Sequence, residues 1–246
     1  MCRHLAHLGD ARSLAAVLTE GPTSLYRQSY EPRHQRHGNV NADGWGVGWF
    51  AEPTADVPAR HRSARPIWAD SFVADVAPHI RSGCVVAAVR SATPPAPIEE
   101  SGAAPFTDGR LLFSHNGAVT DFADQVGPIL RRTLDPQVEG SIRGASDSEV
   151  LFACLRQAGH LGAELPDAVA QTVHAVLALT PARLNLLVAE KGRLVATAMG
   201  DTLFLLEGPH GVLLASEPVD DDPAWSPIAD GSLVVVTPDR VSVDAL

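Results

Sequence analysis

Apolar positions along the chain fall into short runs, and their spacing separates strand-like from helix-like stretches. The opening "CRHLAHL" alternates loosely, as a half-buried strand would. "ARSLAAVLTEGP" reads as a short helix stopped by Gly21 and Pro22. "GWGVGWF" is a strand whose glycines admit close approach of another backbone or a ligand. The Pro-, Ala- and Arg-rich stretch from Glu52 to Pro66 is expected to be a surface loop. Ser71 is placed to cap a helix through Phe72, Val73, Val76, Ala77 and Ile80. "CVVAAVR" and "RLLFSHNG" are strands, separated by the long segment "SATPPAPIEESGAAPFTDG". Loops of that length inside a compact domain are usually functional or disordered.

Two helices are predicted near Ser146–Ala158 and Asp167–Leu179, after which the period changes. "RLNLLVAEKGRLVATAMG" is a hairpin turning at Lys191-Gly192, "LFLLEGPHGVLLAS" is another, and "GSLVVVT" adds a last strand. Strands open and close the chain with helices between them. That order predicts two antiparallel sheets with flanking helices rather than a parallel series. No linker, repeat or low-complexity tract divides residues 1–246, so a single domain is expected.

Composition narrows the function classes. With 45% apolar and 20% charged residues, the 246-residue chain is ordinary for a soluble globular protein. A net charge of −10 disfavours nucleic acid, whose binding rests on lysine and arginine, and an anionic membrane surface equally. No run approaches the ~20 apolar residues of a membrane span, and no signal-peptide core opens the chain. A cytoplasmic location is expected. Cys2, Cys84 and Cys154 share no metal-like spacing, so neither a zinc site nor a disulfide framework is expected. Cys84 lies in an apolar strand, and Cys154 shares a helical face with Val150, Leu151, Leu155 and Ala158. Both read as core residues.

Cys2 is the exception. If Met1 is removed, one residue carries both a thiol and an α-amine, whose ordinary pKa of about 7.7–8.0 leaves it partly neutral near pH 7. Such an amine can serve as the nucleophile's own base. Position 2 read alone is equally the start of a buried strand. Four further stretches are too polar for their surroundings: "NADGWGVGW", with Asn41 and Asp43; "VRSAT", with Arg90; "SHNG", with Asn116 and Gly117 just past a strand; and "ASDSE", with Asp147 and Glu149 at a helix start. Singly, each has a structural explanation as a turn, a cap or a surface ion pair.

Together and in order with Cys2, these motifs resemble the class II glutamine amidotransferases, the N-terminal-nucleophile group, over roughly the first two-thirds of the chain. The resemblance implies a four-layer α/β/β/α sandwich of two mainly antiparallel sheets. It implies Cys2 as nucleophile with its α-amine as base, and Asn116 and Gly117 as oxyanion donors. Arg90, assisted by Thr93, would grip the α-carboxylate of a small-molecule γ-glutamyl substrate, and Asp147 its α-ammonium. No cofactor and no metal are implied. These residue types suit that chemistry, since a thiolate-attacked carbonyl needs aimed donors, and arginine's fork matches a carboxylate.

Departures refine the expectation. Synthase-coupled members carry a further domain or subunit, whereas this chain ends after one amidohydrolase domain. Ser91 stands where some of them have a bulky aromatic, and Pro94 where they have histidine. "SLYRQS", "PIW", "VRSATPP" and "EESGAAPF" instead resemble a compact single-domain branch. The expected activity is hydrolysis of a γ-glutamyl amide with a large sulfur-containing amine as leaving group, with no obligate synthase partner. A glutaminase subunit supplying ammonia to a separate synthase is the alternative. A non-catalytic γ-glutamyl sensor would need neither Cys2 nor the Asn116-Gly117 pair. The loop Ser91–Asp108, with Gly102, Ala103 and Ala104, is expected to wall the leaving-group side. His37, His115, Trp45, Trp68 and Trp225 are chemically suited to the amine half.

Overall fold

The computed structural model describes residues 2–51, 56–92 and 98–246. Its strands, in chain order, are β1 (Arg3–Ser13), β2 (Trp45–Trp49), β3 (Ala59–Ser63), β4 (Arg81–Val89), β5 (Phe106–Thr107), β6 (Leu112–Val119) and β7 (Ala182–Glu190). There follow β8 (Arg193–Ala198), β9 (Phe204–Gly208), β10 (Gly211–Ala215), β11 (Ser226–Pro227), β12 (Ser232–Thr237) and β13 (Arg240–Ala245). One sheet has the order β11-β9-β10-β1-β4-β2-β3, the other β13-β12-β8-β7-β6-β5. Every pairing described within them is antiparallel.

Side-chain alternation builds the layers. In β4, Cys84 and Val86 enter the core between the sheets, while Val85, Ala87 and Val89 face outward. In β7, Leu187 and Ala189 turn to the inter-sheet core, and Leu186 and Val188 turn away. Both faces of each sheet are therefore buried, which is why these strands read as continuous apolar runs. The helices Asp147–His160 and Leu165–Leu177 cover the second sheet through Leu151, Leu155, Val169 and Val173. Among the described residues, only short helices cover the first, with Leu14, Leu18, Leu25 and Ile67 against its outer face. This is the expected four-layer sandwich, with unequal helical layers. Among the described residues, no helix is long and apolar enough to cross a membrane.

Several local expectations are corrected. The helix expected from Ser71 through Ile80 is one turn, Phe72–Asp75, followed by a tight turn at Ala77–His79, and the Ser71 side chain caps nothing. Pro78 is the reason: it has no N–H to donate and its ring collides with the preceding turn. The stretch read as loop from Glu52 to Pro66 contains β3, an edge strand paired with β2; Glu52–Ala55 lies outside the described residues. Edge strands tolerate the charged, non-alternating sequence of Ala59–Ser63. β6 runs on through His115, Asn116 and Gly117 to Val119 instead of ending before them. β13, polar and largely exposed, follows the strand expected to be last.

Candidate active site

Cys2 directly precedes β1, which lies between β4 and β10 near the middle of the first sheet. Arg3 pairs with Val89 across the antiparallel ladder. The residue before Arg3 and the residue after Val89, Cys2 and Arg90, therefore meet at one end of the sheet. The half-buried Cys2 Sγ lies 3.9 Å from the Ser91 carbonyl oxygen. Burial pushes the thiol pKa up, and the charge of Arg90 opposes that shift. A thiol so placed is mostly protonated at neutral pH and needs a base to become a nucleophile.

Arg90 is buried, and its backbone is locked to the "NADG" segment. The Arg90 N–H donates to the Gly44 carbonyl at 2.8 Å, and the Asp43 N–H to the Arg90 carbonyl at 2.9 Å. Asp43 Oδ2 accepts from the Ala92 N–H at 2.8 Å, and Arg90 Nη1 donates to the Asp43 carbonyl at 3.4 Å. Gly102 lies flat against the guanidinium: a Cβ there would fall 2.8 Å from Arg90 Cζ. Gly102 thus backs the cation and, with Ser91, Ala104 and Phe106 of the same segment, lines the cavity.

Ser146 caps the helix Asp147–His160, accepting from the Glu149 N–H at 3.3 Å. The first residue of that helix, Asp147, accepts from the backbone N–H groups of Ser148 at 2.7 Å and Val119 at 3.3 Å. His115 Nε2 is 3.0 Å from the Arg183 carbonyl, which can only accept, so Nε2 carries the proton. The Ser148 hydroxyl lies between His115 Nδ1 at 3.0 Å and Asp147 Oδ1 at 3.2 Å. These contacts fix the Asp147 carboxylate where β6 meets the helix.

Alternation along β6 separates the remaining pair. Gly117 faces the cavity, and it must be glycine, because a Cβ would sit 1.9 Å from the Arg183 carbonyl oxygen. Asn116 points the other way, into the space between the sheets, and is fully buried. Its Nδ2 donates to Ser216 Oγ at 3.3 Å, and Ser216 Oγ also accepts the His4 N–H at 3.0 Å.

Cys2, Arg90, Gly117 and Asp147 line one cavity of about 370 Å³, bounded by Phe106 and Phe122. A cation, an anion and a thiol lining one cavity can hold a zwitterionic head and expose its distal carbonyl to sulfur. Asn116 adjoins this cavity without lining it. Thr93 lies outside the described residues, as does Met1. Of the residues suited to an amine, His115 lines the cavity. Trp45 is buried with its indole N–H on Asp70, Trp68 packs on Tyr30, and Trp225 donates to Asp220. None of these three tryptophans lines the cavity. Cys84 and Cys154 are core residues as expected, and burial pushes the Cys154 thiol to about 11. Ser148 and Ser216 are additions; "SDSE" contained the first, while nothing in "LLASEP" marked the second.

Over its full length the chain is 47% identical to the gamma-glutamyl-hercynylcysteine sulfoxide hydrolase of Mycolicibacterium smegmatis, covering 100% of both. It is 44% identical to the protein of the same name from Mycobacterium tuberculosis strain CDC 1551 / Oshkosh, covering 100% of this chain and 97% of that one. A glutamine aminotransferase class-II domain protein from Silicibacter pomeroyi superposes with a TM-score of 0.74 at 20% identity over 99% of each chain, a likeness of fold. The family model for class II glutamine amidotransferases matches residues 13–211, and the chain belongs to that family.

Proposed function

We propose that the protein hydrolyses the γ-glutamyl amide of γ-glutamyl-hercynylcysteine sulfoxide, releasing glutamate and hercynylcysteine sulfoxide, and needs no synthase partner. This is the γ-glutamyl-removing step of ergothioneine biosynthesis that the sequence resembles. The observation that carries the reading is the 47% identity, end to end, with the Mycolicibacterium smegmatis hydrolase of that name. The shared cavity of Cys2, Arg90, Gly117 and Asp147 supports it chemically.

In the proposed mechanism Arg90 pairs with the substrate α-carboxylate and Asp147 with its α-ammonium. The Cys2 α-amine takes the thiol proton, and sulfur attacks the γ-carbonyl carbon. The resulting oxyanion is held by the Gly117 N–H and the Asn116 carboxamide. Collapse expels the amine, which leaves with the proton from the α-ammonium of Cys2. Water, deprotonated by the same α-amine, then cleaves the thioester to glutamate. This chemistry requires a free α-amine on Cys2. Intact mass spectrometry of active protein is expected to show the chain without Met1; full activity with Met1 retained would refute the terminal-base mechanism.

The substrate assignment is tested by specificity. Glutamine and the sulfoxide substrate share a glutamyl head, so Arg90 and Asp147 contribute equally to both. Preference must come from the amine half, for which glutamine offers only NH₂. A kcat/KM ratio of at least about a hundredfold in favour of the sulfoxide is expected, ~2.7 kcal/mol of extra transition-state binding. One desolvated cation–π contact of ~2 kcal/mol and one hydrogen bond of ~1 kcal/mol suffice. Equal values for the two substrates would promote the ammonia-supplying glutaminase instead.

A further inference from the structure

Buried Asn116 and Ser216 present an incomplete hydrogen-bond account. Asn116 Nδ2 donates to Ser216 Oγ at 3.3 Å, while the buried Asn116 Oδ1 has no partner among the described residues. Ser216 Oγ already accepts the His4 N–H at 3.0 Å. It therefore accepts twice, and its own proton finds no acceptor among the described residues. Asn185, opposite Asn116 in the ladder, offers no relief: its amide is spent on the carbonyls of Asp201 and Thr202 and on the N–H groups of Met199 and Asp201.

A half-turn of the Asn116 carboxamide exchanges oxygen and nitrogen with almost no change of shape. Ser216 O–H then donates to Oδ1, which pairs both groups left over, while its oxygen keeps the His4 N–H. The exchange leaves Nδ2 as a donor that lacks a protein acceptor. An oxyanion hole requires such a donor, provided that it faces the reacting carbon.

Register supplies the direction. Ser114 Oγ meets His4 Nδ1 at 3.1 Å, and Leu112 shares the inter-sheet core with Ala6 and Leu8. Same-face residues recur every second position in a strand. Stepping from Ser114 to Asn116 on β6 therefore matches stepping from His4 to Cys2 ahead of β1. Asn116 stands level with the sulfur that attacks.

We propose that Ser216 is the positioning residue of the oxyanion donor: by giving its hydroxyl proton to Asn116 Oδ1, it turns Nδ2 toward the oxygen that gains charge when Cys2 attacks. The inference rests on the amidohydrolase reading above. Ser216 does not line the cavity, and its effect on catalysis passes through Asn116; the His4 N–H that it also accepts is a contact of the fold, which the unfolding control follows.

The test is a double-mutant cycle in steady-state kinetics, with thermal unfolding as a control for folding. Asn116→Ala is expected to lower kcat about 10²–10³-fold, the usual cost of one oxyanion donor. Ser216→Ala is expected to lower kcat about tenfold with KM within about threefold, because the carboxamide, no longer held, spends most of its time with Nδ2 turned away from the developing oxyanion. In the Asn116→Ala background, Ser216→Ala is expected to cost nothing further. A role confined to packing would instead add to the loss in both backgrounds. Additive losses, an unchanged kcat for Ser216→Ala, or a near-native kcat for Asn116→Ala would each overturn the inference. If the unmodified protein fails to hydrolyse γ-glutamyl-hercynylcysteine sulfoxide at all, the amidohydrolase reading itself falls, a separate outcome.

Discussion

Replacing Cys2 by alanine is expected to abolish hydrolysis, by about 10⁴-fold or more, while substrate binding stays within about tenfold of the unmodified protein. The first figure follows from what a missing nucleophile costs an enzyme whose remaining groups only bind and polarise. Among the described residues, no other thiol lines the cavity, since Cys84 belongs to the inter-sheet core and Cys154 packs in the helical layer. The second figure follows because the proposed grips on the glutamyl head, Arg90 and Asp147, stand on other elements. A tenfold change in affinity is ~1.4 kcal/mol. Single-turnover kinetics and calorimetric titration of Cys2→Ala with substrate measure the two separately. Near-native turnover in purified Cys2→Ala would remove Cys2 as nucleophile; lost binding would make it a ligand.

Arg90→Ala is expected to lower kcat/KM by about 10²–10³-fold, mostly through KM, and equally for glutamine and for the sulfoxide substrate. A forked guanidinium offers a carboxylate two charge-assisted hydrogen bonds, each contributing ~1.5–3 kcal/mol. The buried setting of Arg90 keeps water from replacing them. Arg90→Lys, which keeps the charge but not the fork, is expected to recover only part of the loss. Because Arg90 Nη1 also donates to the Asp43 carbonyl, melting temperature must be followed for both variants. A loss confined to kcat would mean that Arg90 acts on the transition state. A loss confined to one substrate would place it beside the amine half.

Legibility in the sequence tracked burial. "CVVAAVR", "RLNLLVAE" and "GSLVVVT" became strands because both faces of each sheet are covered, so pattern and environment agree. β3 and β13 escaped because edge strands need few apolar residues and carry charge instead. The helix at Ser71 failed on Pro78, whose effect apolar spacing does not register. Motif order singled out Cys2, Arg90, Gly117 and Asp147, and these four line one cavity. Strand alternation within "HNG", which sends Asn116 and Gly117 to opposite faces, becomes visible only once β6 is known to continue to Val119. Ser216 was beyond reach of any local pattern: its partners are His4, before it by 212 positions, and Asn116, by 100.

That separation bears on how the protein is made. β1 needs β10 as one of its two neighbours, and β10 and Ser216 are among the later parts of the chain to be synthesised. At about 5–20 residues per second, a ribosome takes roughly 10–40 s to pass from His4 to Ser216. Throughout that interval the first strand lacks half of its ladder. On the proposed mechanism, a nascent thiol and amine are therefore present long before they are assembled into a working pair, and hydrolysis would begin only when the β9–β10 hairpin closes over the opening strand.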